Sequence, residues 1–314
     1  MTVNLFVLNT GFQYYFSTLL IEHLGLEQVV YAMYQPREGI ERRAALRYPV
    51  VYADAGDTLT RLFGKKVGKR RFASRAFRKL GLRGQQVRVF CPYYNESFVY
   101  PLRRLLERNC LNVEYNMIPD GAALLRQLPG VAKGRGLPPW LFRKLIGVEL
   151  ASTRHKSGSY SSFIDKIYHF EAHTIHADPR KVVIVPLARS QQPPFDEVLV
   201  LGGLRGISES FVLSAKEKSL GYPVKFRMHP KNRRGIEFIA AHAPDWVELE
   251  LSGILEEHLL AHPYRLVIGY YSSAVMFNQL FIGNSRSEFI VDATSEDPDY
   301  HVTADSCGIA VTLV

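Results

Sequence analysis

The feature that most constrains the fold is an alternation of short apolar segments and helical segments, which occurs twice along the 314 residues. The first series begins with a predicted strand from Asn4 to Asn9. A helix follows from about Tyr14 to Leu24, and a second strand covers residues 27–33. A strand, helix and strand in succession are typical of a βαβ unit, which requires a parallel sheet. The sequence therefore predicts an α/β fold.

The alternation restarts after residues 186–194, a polar, proline-rich run that has the composition of a linker. The segment 197–201 is nearly continuously apolar, as expected of a strand covered on both faces. Further strands are predicted at 224–228, 266–269 and 289–291, with helical segments between them. We therefore expect two Rossmann-like domains, residues 1–188 and 189–314, that face each other across a ligand-binding cleft in a GT-B-like arrangement.

The composition does not favour a disulfide-stabilised, zinc-binding, secreted or membrane-spanning protein. The three cysteines, Cys91, Cys110 and Cys307, are an odd number without metal-ligand spacing, so neither a disulfide framework nor a zinc site is expected. A reducing cytoplasm is the expected location. The N-terminus lacks the basic region and the cleavage site of a secretory signal, and no apolar run approaches the ~20 residues of a membrane-spanning helix.

The net charge of +9 is concentrated in one segment. Residues 61–88 hold 11 of the 39 Lys and Arg residues and no acid, whereas the remaining 28 basic residues face 30 acidic ones. This segment fits contact with anionic lipid headgroups on the inner face of the cytoplasmic membrane, or with an anionic acceptor. A solvated basic helix face explains it equally well. No nucleic-acid-binding motif accompanies the charge, so a nucleic-acid partner is not expected.

In the second predicted domain, polar motifs follow two strands. His229-Pro230 comes after the 224–228 strand beside Arg227, and an imidazole there can bind a phosphate or act as an acid near neutral pH. Ser272-Ser273 follows the 266–269 strand and precedes a helix, where hydroxyls and free N–H groups bind anions. The alternatives are a surface histidine at a turn and an ordinary helix N-cap.

Other candidate residues lie at further strand ends. Asp120, followed by Gly121, offers a carboxylate for general-base work, although Asp-Gly is also a common turn. Gly202-Gly203 permits close approach of a phosphate or nucleoside, and strand-to-helix turns favour glycine for steric reasons as well. In the first turn, Thr10-Gly11-Phe12-Gln13, the Gly11 backbone and the Gln13 amide are candidates for donor binding.

Several well-known motifs are missing from the sequence: Walker A, G-x-G-x-x-G, His-Glu-x-x-His and the G-x-S-x-G elbow. Asp297-Pro298-Asp299 superficially matches a metal-binding Asp-x-Asp. It lies in a predicted C-terminal loop rather than after a strand of the nucleotide site. No metal is therefore expected.

The ordered set of motifs resembles bacterial sialyltransferases of the GT-B type, both the lipooligosaccharide sialyltransferases and the polysialyltransferases. The matching segments are Pro119-Asp120-Gly121, Arg227-Met228-His229-Pro230-Lys231, Gly269-Tyr270-Tyr271-Ser272-Ser273, and the N-terminal Thr10 to Gln13 turn. Two positions depart from the family pattern. Pro119 replaces the first of two acids, and Gly11 stands where proline is usual.

The resemblance implies an inverting transfer of sialic acid from CMP-sialic acid to a glycan hydroxyl, without a metal. Asp120 would be the base, and His229 would bind or protonate the departing phosphate. The implied donor-binding residues are Ser272, Ser273, Gly202, Gly203, Pro230, Arg227, Gln13 and Gly11. The acceptor would be lipooligosaccharide, O-antigen or capsule, which implies a lipid-linked glycan.

Two alternatives remain open from the sequence. One is another glycosyltransferase on the same scaffold, using CMP-Kdo or a UDP-sugar. The other is a protein without enzymatic activity whose basic segment binds nucleic acid or membrane and whose motifs are turns and caps.

Overall fold

The structure of the protein is a computed structural model. It describes residues 2–34, 36, 39–53, 65–92, 99–120, 159–170, 175–203, 207–229, 232–251, 253–270, 272–292 and 300–314. The chain separates into two compact units, Met1–Pro186 and Leu187–Val314. The boundary predicted from the sequence lies two residues further along the chain, between 188 and 189.

The first unit is built around a sheet of seven described strands. The strands are β1 (Thr2–Leu8), β2 (Val29–Tyr34), β3 (Val50–Ala53), β4 (Gln86–Cys91), β5 (Asn112–Met117), β6 (Lys166–His169) and β7 (Val182–Ile184). The described helices of this unit are α1 (Gly11–Leu24), α2 (Ile40–Ala45), α3 (Lys65–Lys79) and α4 (Val99–Asn109), with a 3₁₀ turn at Pro179–Lys181.

The strands of this sheet lie in the order β3-β2-β1-β4-β5-β6-β7, and every neighbouring pair is parallel. The central strand β1 packs on both faces. Leu5 and Val7 join the core that contains Phe72 of α3. On the other face Phe6 stacks on Phe90, with ring centroids 4.5 Å apart. Both faces of β1 are covered, which agrees with apolar residues at five of its seven positions.

Helix α3 carries part of the basic segment and is amphipathic. Phe72 and Phe77 are buried in the core of the first unit. The cations on its other side are exposed: Arg71, Arg75, Arg78 and Lys79. The apolar residues interleaved with the charges therefore face inward, and the charges form an exposed helix face.

The second unit contains six described strands: β8 (Phe195–Leu201), β9 (Val224–Arg227), β10 (Val247–Glu248), β11 (Tyr264–Gly269), β12 (Arg286–Val291) and β13 (Ala310–Leu313). Its described helices are α5 (Glu209–Lys218), α6 (Arg233–His242), α7 (Leu255–Ala261), α8 (Ser273–Phe281) and α9 (Tyr300–Cys307).

The second sheet has the order β10-β9-β8-β11-β12-β13 with all neighbours parallel. This repeats the order of the first six strands of the first sheet, and it is the Rossmann order. The direction of winding reverses between β1 and β4 in one unit and between β8 and β11 in the other. The carboxyl ends of the strands at these reversals are the usual ligand positions of such sheets.

The structure confirms the predicted fold class of two parallel-sheet α/β units. Each strand predicted at 197–201, 224–228, 266–269 and 289–291 overlaps an observed strand. Strands β3 and β13 were not predicted. Asp297-Pro298-Asp299 lies outside the described residues. Among the residues that are described, none of the helices combines the length and apolar character needed to cross a bilayer.

Candidate functional site

In the first unit, Asp120 lies just beyond the carboxyl end of β5. The last backbone bond of the strand pairing runs from Ile118 N to the Cys91 carbonyl oxygen, 3.3 Å away. Pro119 follows, and a proline cannot donate a further ladder bond. The chain therefore leaves the sheet at this point, and Asp120 is half-buried at its edge.

The Asp120 carboxylate contacts Gln13, another predicted site residue. Gln13 Nε2 donates a hydrogen bond to Asp120 Oδ1. The other end of the same amide, Oε1, accepts from the backbone N–H of Asn9 at 2.8 Å and of Thr10 at 3.3 Å. The Gln13 residue is only 1% exposed. Two of the residues predicted for the site thus meet, although 107 positions separate them.

The position of Gln13 follows from how helix α1 begins. Thr10 is the N-cap, and its side chain accepts from Gln13 N at 3.4 Å. Together with the Gln13 side chain bonded back to the Thr10 N–H, this is a capping box, which satisfies two N–H groups at the helix start. Gly11, the first helical residue, is buried. No contact described here tests donor binding by Gly11 or Gln13, which stays a prediction.

In the second unit, the predicted donor-binding motifs lie at the ends of three adjacent strands. Gly202 and Gly203 follow β8, His229 follows β9, and Ser272 follows β11. These ends lie at the carboxyl edge of the sheet, next to the reversal between β8 and β11. The sheet order thus brings together motifs that lie up to 70 residues apart in the sequence.

Gly202 and Gly203 occupy positions where there is no room for a side chain. A Cβ on Gly202 would lie 2.1 Å from Met228 Sδ, and one on Gly235 would lie 2.1 Å from Met228 Cε. The end of the Met228 side chain is therefore held between two glycines. A Cβ on Gly203 would lie 3.0 Å from the Tyr270 ring. Packing thus explains these glycines, and their predicted contact with the donor remains untested.

His229 is half-buried at the end of β9. Its carbonyl oxygen accepts from Asn232 N at 2.7 Å. The Asn232 side chain caps helix α6 by accepting from Gly235 N at 3.1 Å, and its Nδ2 donates to the Gly203 carbonyl oxygen at 3.0 Å. Asn232 therefore connects the ends of β8 and β9. Asn232 was not among the residues predicted from the sequence, although an Asn just before a helix is a recognisable N-cap signal.

Ser272 is the N-cap of helix α8. Its hydroxyl accepts from Ala274 N at 3.2 Å, so the predicted capping role is observed. Ser273 is the first helical residue and is exposed. A helix start with this geometry presents N–H groups and hydroxyls that suit an anion. The capping role and the anion-binding role are compatible.

Tyr270, between β11 and Ser272, fixes the neighbouring helix α5. Its hydroxyl accepts from Ser208 N at 3.1 Å, and its ring stacks on Phe211 with centroids 4.4 Å apart. Ser208 is in turn the N-cap of α5, accepting from Phe211 N at 3.2 Å. Two helix starts are thereby held next to each other at this edge. Tyr270 was part of a quoted motif but was not predicted to have this role.

Two further predicted residues, Arg227 and Pro230, belong to the motif that contains His229. The half-buried Arg227, the last residue of β9, donates through Nη1 to the Leu249 carbonyl oxygen at 3.4 Å. Pro230 lies outside the described residues, as do Lys231 and Tyr271.

Within the described part of the chain, no group of three or more His, Cys, Asp or Glu residues is arranged to hold a metal ion.

A separate polar cluster lies towards the amino-terminal ends of the strands of the second sheet. Glu197 Oε2 contacts Lys225 Nζ at 2.9 Å and His262 Nε2 at 2.8 Å. His258 Nε2 lies 2.8 Å from the Tyr264 hydroxyl. Burial lowers the pKa of His258, and the nearby cations lower it further. This cluster is at the edge opposite the predicted site.

Comparison with protein-family models and with curated proteins finds no match. Solved structures do resemble the chain. A sialyltransferase from Photobacterium damselae, in the part described as its GT-B domain, matches with a TM-score of 0.57 and 12% identity, covering 100% of both chains. An α/β-galactoside α-2,3-sialyltransferase from Photobacterium phosphoreum matches at 0.56 and 11%, covering 99% of this chain and 98% of that one.

A further structural match is the E. coli heptosyltransferase WaaC, with a TM-score of 0.50 and 11% identity, over 100% of this chain and 93% of the other. At these identities the likeness concerns the fold. The class that the fold defines is GT-B, with two Rossmann-like units in one chain. The sialyltransferases are proteins that this chain resembles in that fold.

Proposed function

We propose that the protein is an inverting, metal-independent glycosyltransferase that transfers sialic acid from CMP-sialic acid to a hydroxyl of a bacterial surface glycan. One observation carries the proposal. The Gly202-Gly203, His229 and Ser272-Ser273 motifs lie at the ends of adjacent strands, beside the strand-order reversal of the second sheet. Resemblance in fold to two sialyltransferases supports it.

The leaving group determines what the second unit must do. Breaking the bond between the anomeric carbon and the phosphate oxygen places negative charge on the departing CMP. Hydroxyl and N–H donors for that charge come from Ser272, Ser273 and the start of α8. His229 donates a hydrogen bond to the departing phosphate or protonates it. Gly202 and Gly203 lie against the cytidine or the phosphate. A single phosphate can be neutralised by such donors, so the reaction needs no metal.

The attacking group determines what the first unit must do. In an inverting transfer, the acceptor hydroxyl forms a bond to the anomeric carbon while its proton passes to a base. Asp120 takes that proton in our proposal, because its carboxylate is half-buried at the carboxyl edge of the first sheet and is held there by Gln13.

The acceptor in this proposal is lipid-linked, and the basic face of α3 contacts anionic lipid at the inner face of the cytoplasmic membrane. Phe72 and Phe77 are buried in the core of the first unit, so the contact is electrostatic rather than by insertion of these rings. Each Lys or Arg near an anionic membrane contributes about 1 kcal/mol.

Thermal unfolding in the presence of CMP, CDP, UDP and GDP tests the donor class. CMP at about 100 times its Kd stabilises a protein that binds it by about 2.7 kcal/mol, which raises Tm. We expect CMP to raise Tm, and UDP and GDP to have no such effect. Stabilisation by UDP or GDP without CMP would refute the CMP donor and favour a glycosyltransferase with another nucleotide sugar. If only a nucleic acid binds, with steep salt dependence, the protein is not this enzyme.

Release of CMP from CMP-sialic acid in the presence of glycan acceptors tests the residues. Asp120→Ala is expected to abolish transfer, with Asp178→Asn as its control in the same unit, because Asn preserves that N-cap. His229→Ala is expected to reduce transfer strongly, with the exposed His242→Ala as its control. Normal transfer by Asp120→Ala would remove Asp120 as the base.

A further inference from the structure

We propose that Gln13 is a positioning residue for Asp120: its amide holds one carboxylate oxygen so that the other faces the acceptor hydroxyl. This inference rests on the proposed function, in which Asp120 is the base. It assigns Gln13 to the acceptor side of the reaction, whereas the sequence analysis predicted that Gln13 binds the donor.

The orientation of the Gln13 amide follows from its partners. Asn9 and Thr10 each direct a backbone N–H at one end of the amide, at 2.8 and 3.3 Å. An N–H can only donate, so that end must be the carbonyl oxygen Oε1. The other end is therefore the NH₂ group, which is the only group of the amide that can donate to the Asp120 carboxylate.

The side chain is fixed as well as oriented. Gln13 is 1% exposed, and it belongs to the capping box that begins α1. Changing its rotamer would leave the N–H groups of Asn9 and Thr10 without this acceptor, a loss that buried polar groups tolerate poorly. The amide therefore contacts Asp120 from a rigid position rather than as a mobile surface side chain.

The hydrogen bonds form a chain from backbone to carboxylate. Two N–H groups at the start of α1 polarise the Gln13 carbonyl, and the same amide donates to Asp120 Oδ1. Polarisation along such a chain strengthens the final bond. With Oδ1 held, Oδ2 is the oxygen that receives the proton.

The contact also spans the position where a ligand is expected. Strands β1 and β5 are not neighbours, because β4 lies between them in the sheet. Gln13, just after β1, thus reaches across the carboxyl end of β4 to Asp120, just after β5. The reversal of strand order between β1 and β4 lies at the same point, so the pair borders the usual ligand position of the first sheet.

Loss of the contact should lower the rate of the chemical step rather than the binding of substrates. Misplacement of a reacting group by about 1 Å costs about 100-fold in rate. We expect Gln13→Met, which has similar length but no amide, to reduce kcat for transfer between about 10- and 100-fold. KM for donor and acceptor should change less than about 3-fold, because in this proposal Gln13 acts on the Asp120 carboxylate rather than on a substrate.

A second variant and a control separate positioning from folding. Gln13→Glu keeps an oxygen for the N–H groups of Asn9 and Thr10, but it presents a second oxygen to Asp120 instead of a donor. It should fold and lose kcat as Gln13→Met does. Ser17→Ala, on the same helix, removes a buried hydroxyl that lies 3.0 Å from the Tyr31 hydroxyl. It should lower Tm and leave kcat unchanged.

The measurements are kcat and KM for transfer, the Tm of each variant, and the shift of Tm caused by CMP. The proposal requires a lowered kcat with an unchanged CMP-induced shift in both Gln13 variants. Wild-type kcat in a folded Gln13→Glu would overturn it, as would loss of the CMP-induced shift, which would instead assign Gln13 to the donor. If the wild-type protein neither binds CMP nor transfers sialic acid, the proposed function fails instead.

Discussion

The Nδ2 of Asn232 donates a 3.0 Å hydrogen bond to the carbonyl oxygen of Gly203. Through its Oδ1 the same side chain caps helix α6 at Gly235 N. One residue thus sets the spacing between the end of β8, the end of β9 and a helix start. The loop that carries Gly202 and Gly203 is therefore held by a side chain outside the sheet ladder.

Replacing Asn232 with Asp removes the donor to Gly203 and keeps the α6 cap, since Asp and Asn are comparable N-caps. Loss of one such hydrogen bond corresponds to about 1 kcal/mol. We expect CMP affinity, measured by calorimetric titration, to fall about 3- to 10-fold while Tm stays within a few degrees. Asn284→Asp is the control, because Asn284 donates in the same way to the Gln191 carbonyl oxygen at 2.9 Å. Equal losses of affinity in both variants would contradict a local role for Asn232.

Two substitutions of Ser272 distinguish helix capping from anion binding. Ser272→Ala removes the cap bond to Ala274 N and should cost about 1 kcal/mol of stability. Ser272→Asp preserves a capping oxygen and adds a negative charge, which favours a helix start. The same charge repels a phosphate. We expect Ser272→Asp to keep wild-type stability in urea unfolding and to lose CMP binding; tight CMP binding by this variant would exclude Ser272 from the phosphate site.

The glycine pair around Met228 gives a prediction about stability. A Cβ at position 202 meets Met228 Sδ, and that side chain is already confined by Gly235. We expect Gly202→Ala to destabilise the second unit by about 1 to 3 kcal/mol through overpacking. Combined with Met228→Ala, the substitution should cost much less, because the clashing atoms are gone. Strict additivity of the two effects in denaturant unfolding would show that the clash is absent.

The stability of the second unit should fall in mild acid because of His258. Burial is the main cause of its lowered pKa, followed by the nearby charges of His262, Lys225 and Arg227. The unfolded chain, with the ordinary value of 6.5, binds the proton more readily than the folded protein. The stabilisation is therefore fully present above pH 6.5 and is lost as the pH falls below it.

Urea unfolding between pH 7.5 and about pH 5 measures this dependence. His258→Gln, which removes the titratable imidazole beside the Tyr264 hydroxyl, should flatten the curve, whereas the exposed His23→Gln should leave it as in the wild type. The pKa of Glu197 is also lowered, because its hydrogen bonds to His262 and Lys225 outweigh its desolvation. The contribution of Glu197 to stability is lost only as the pH falls below 4.5. The pH ranges in which His258 and Glu197 lose their contributions can therefore be measured separately. Unchanged pH dependence in His258→Gln would exclude His258 as the cause.

The basic face of α3 predicts salt-dependent binding to anionic vesicles. Reversing Arg71, Arg78 and Lys79 to Glu should abolish co-sedimentation with phosphatidylglycerol-containing vesicles at low salt, because each cation contributes about 1 kcal/mol. The control variant replaces three other exposed cations with Glu: Lys166, Arg189 and Arg286. It changes the net charge by the same amount and should reduce vesicle binding less. Equal loss of binding in both triple variants would indicate a general charge effect rather than a contact through α3.

The sequence predicts the long central strands well but misses two of the four described edge strands, β3 and β13. Strands covered on both faces contain continuous apolar runs, such as residues 198–201 of β8, and the helix that follows β8 begins with a capping residue. The edge strands β3 and β13 have four residues each, too few to establish a period. Helix α2 has six residues, and its N-cap is Gly39, which has a φ of 72° and no side chain to cap the helix. Nothing local therefore marked these elements.

The candidate site was likewise predicted from the sequence in part. Local signals located the candidate residues, because Asp120, His229 and Ser272 each follow a predicted strand. The contact between Gln13 and Asp120 depends on the strand order, which places β5 two strands away from β1. Strand order is a property of the assembled sheet, and no periodicity along the chain encodes it. The role of Asn232 was missed for the same reason, since its partner Gly203 belongs to another strand end.

The strand order also has a consequence for how the chain is made. In each sheet the first strand to leave the ribosome, β1 or β8, becomes a central strand, with later strands on both sides. β1 pairs with β4, which begins only at Gln86. This central strand therefore lacks one neighbour while about 80 residues are synthesised, at about 5 to 20 residues per second. For several seconds the nascent chain exposes an open strand edge, and a chaperone that covers short apolar strands would raise the yield of folded protein.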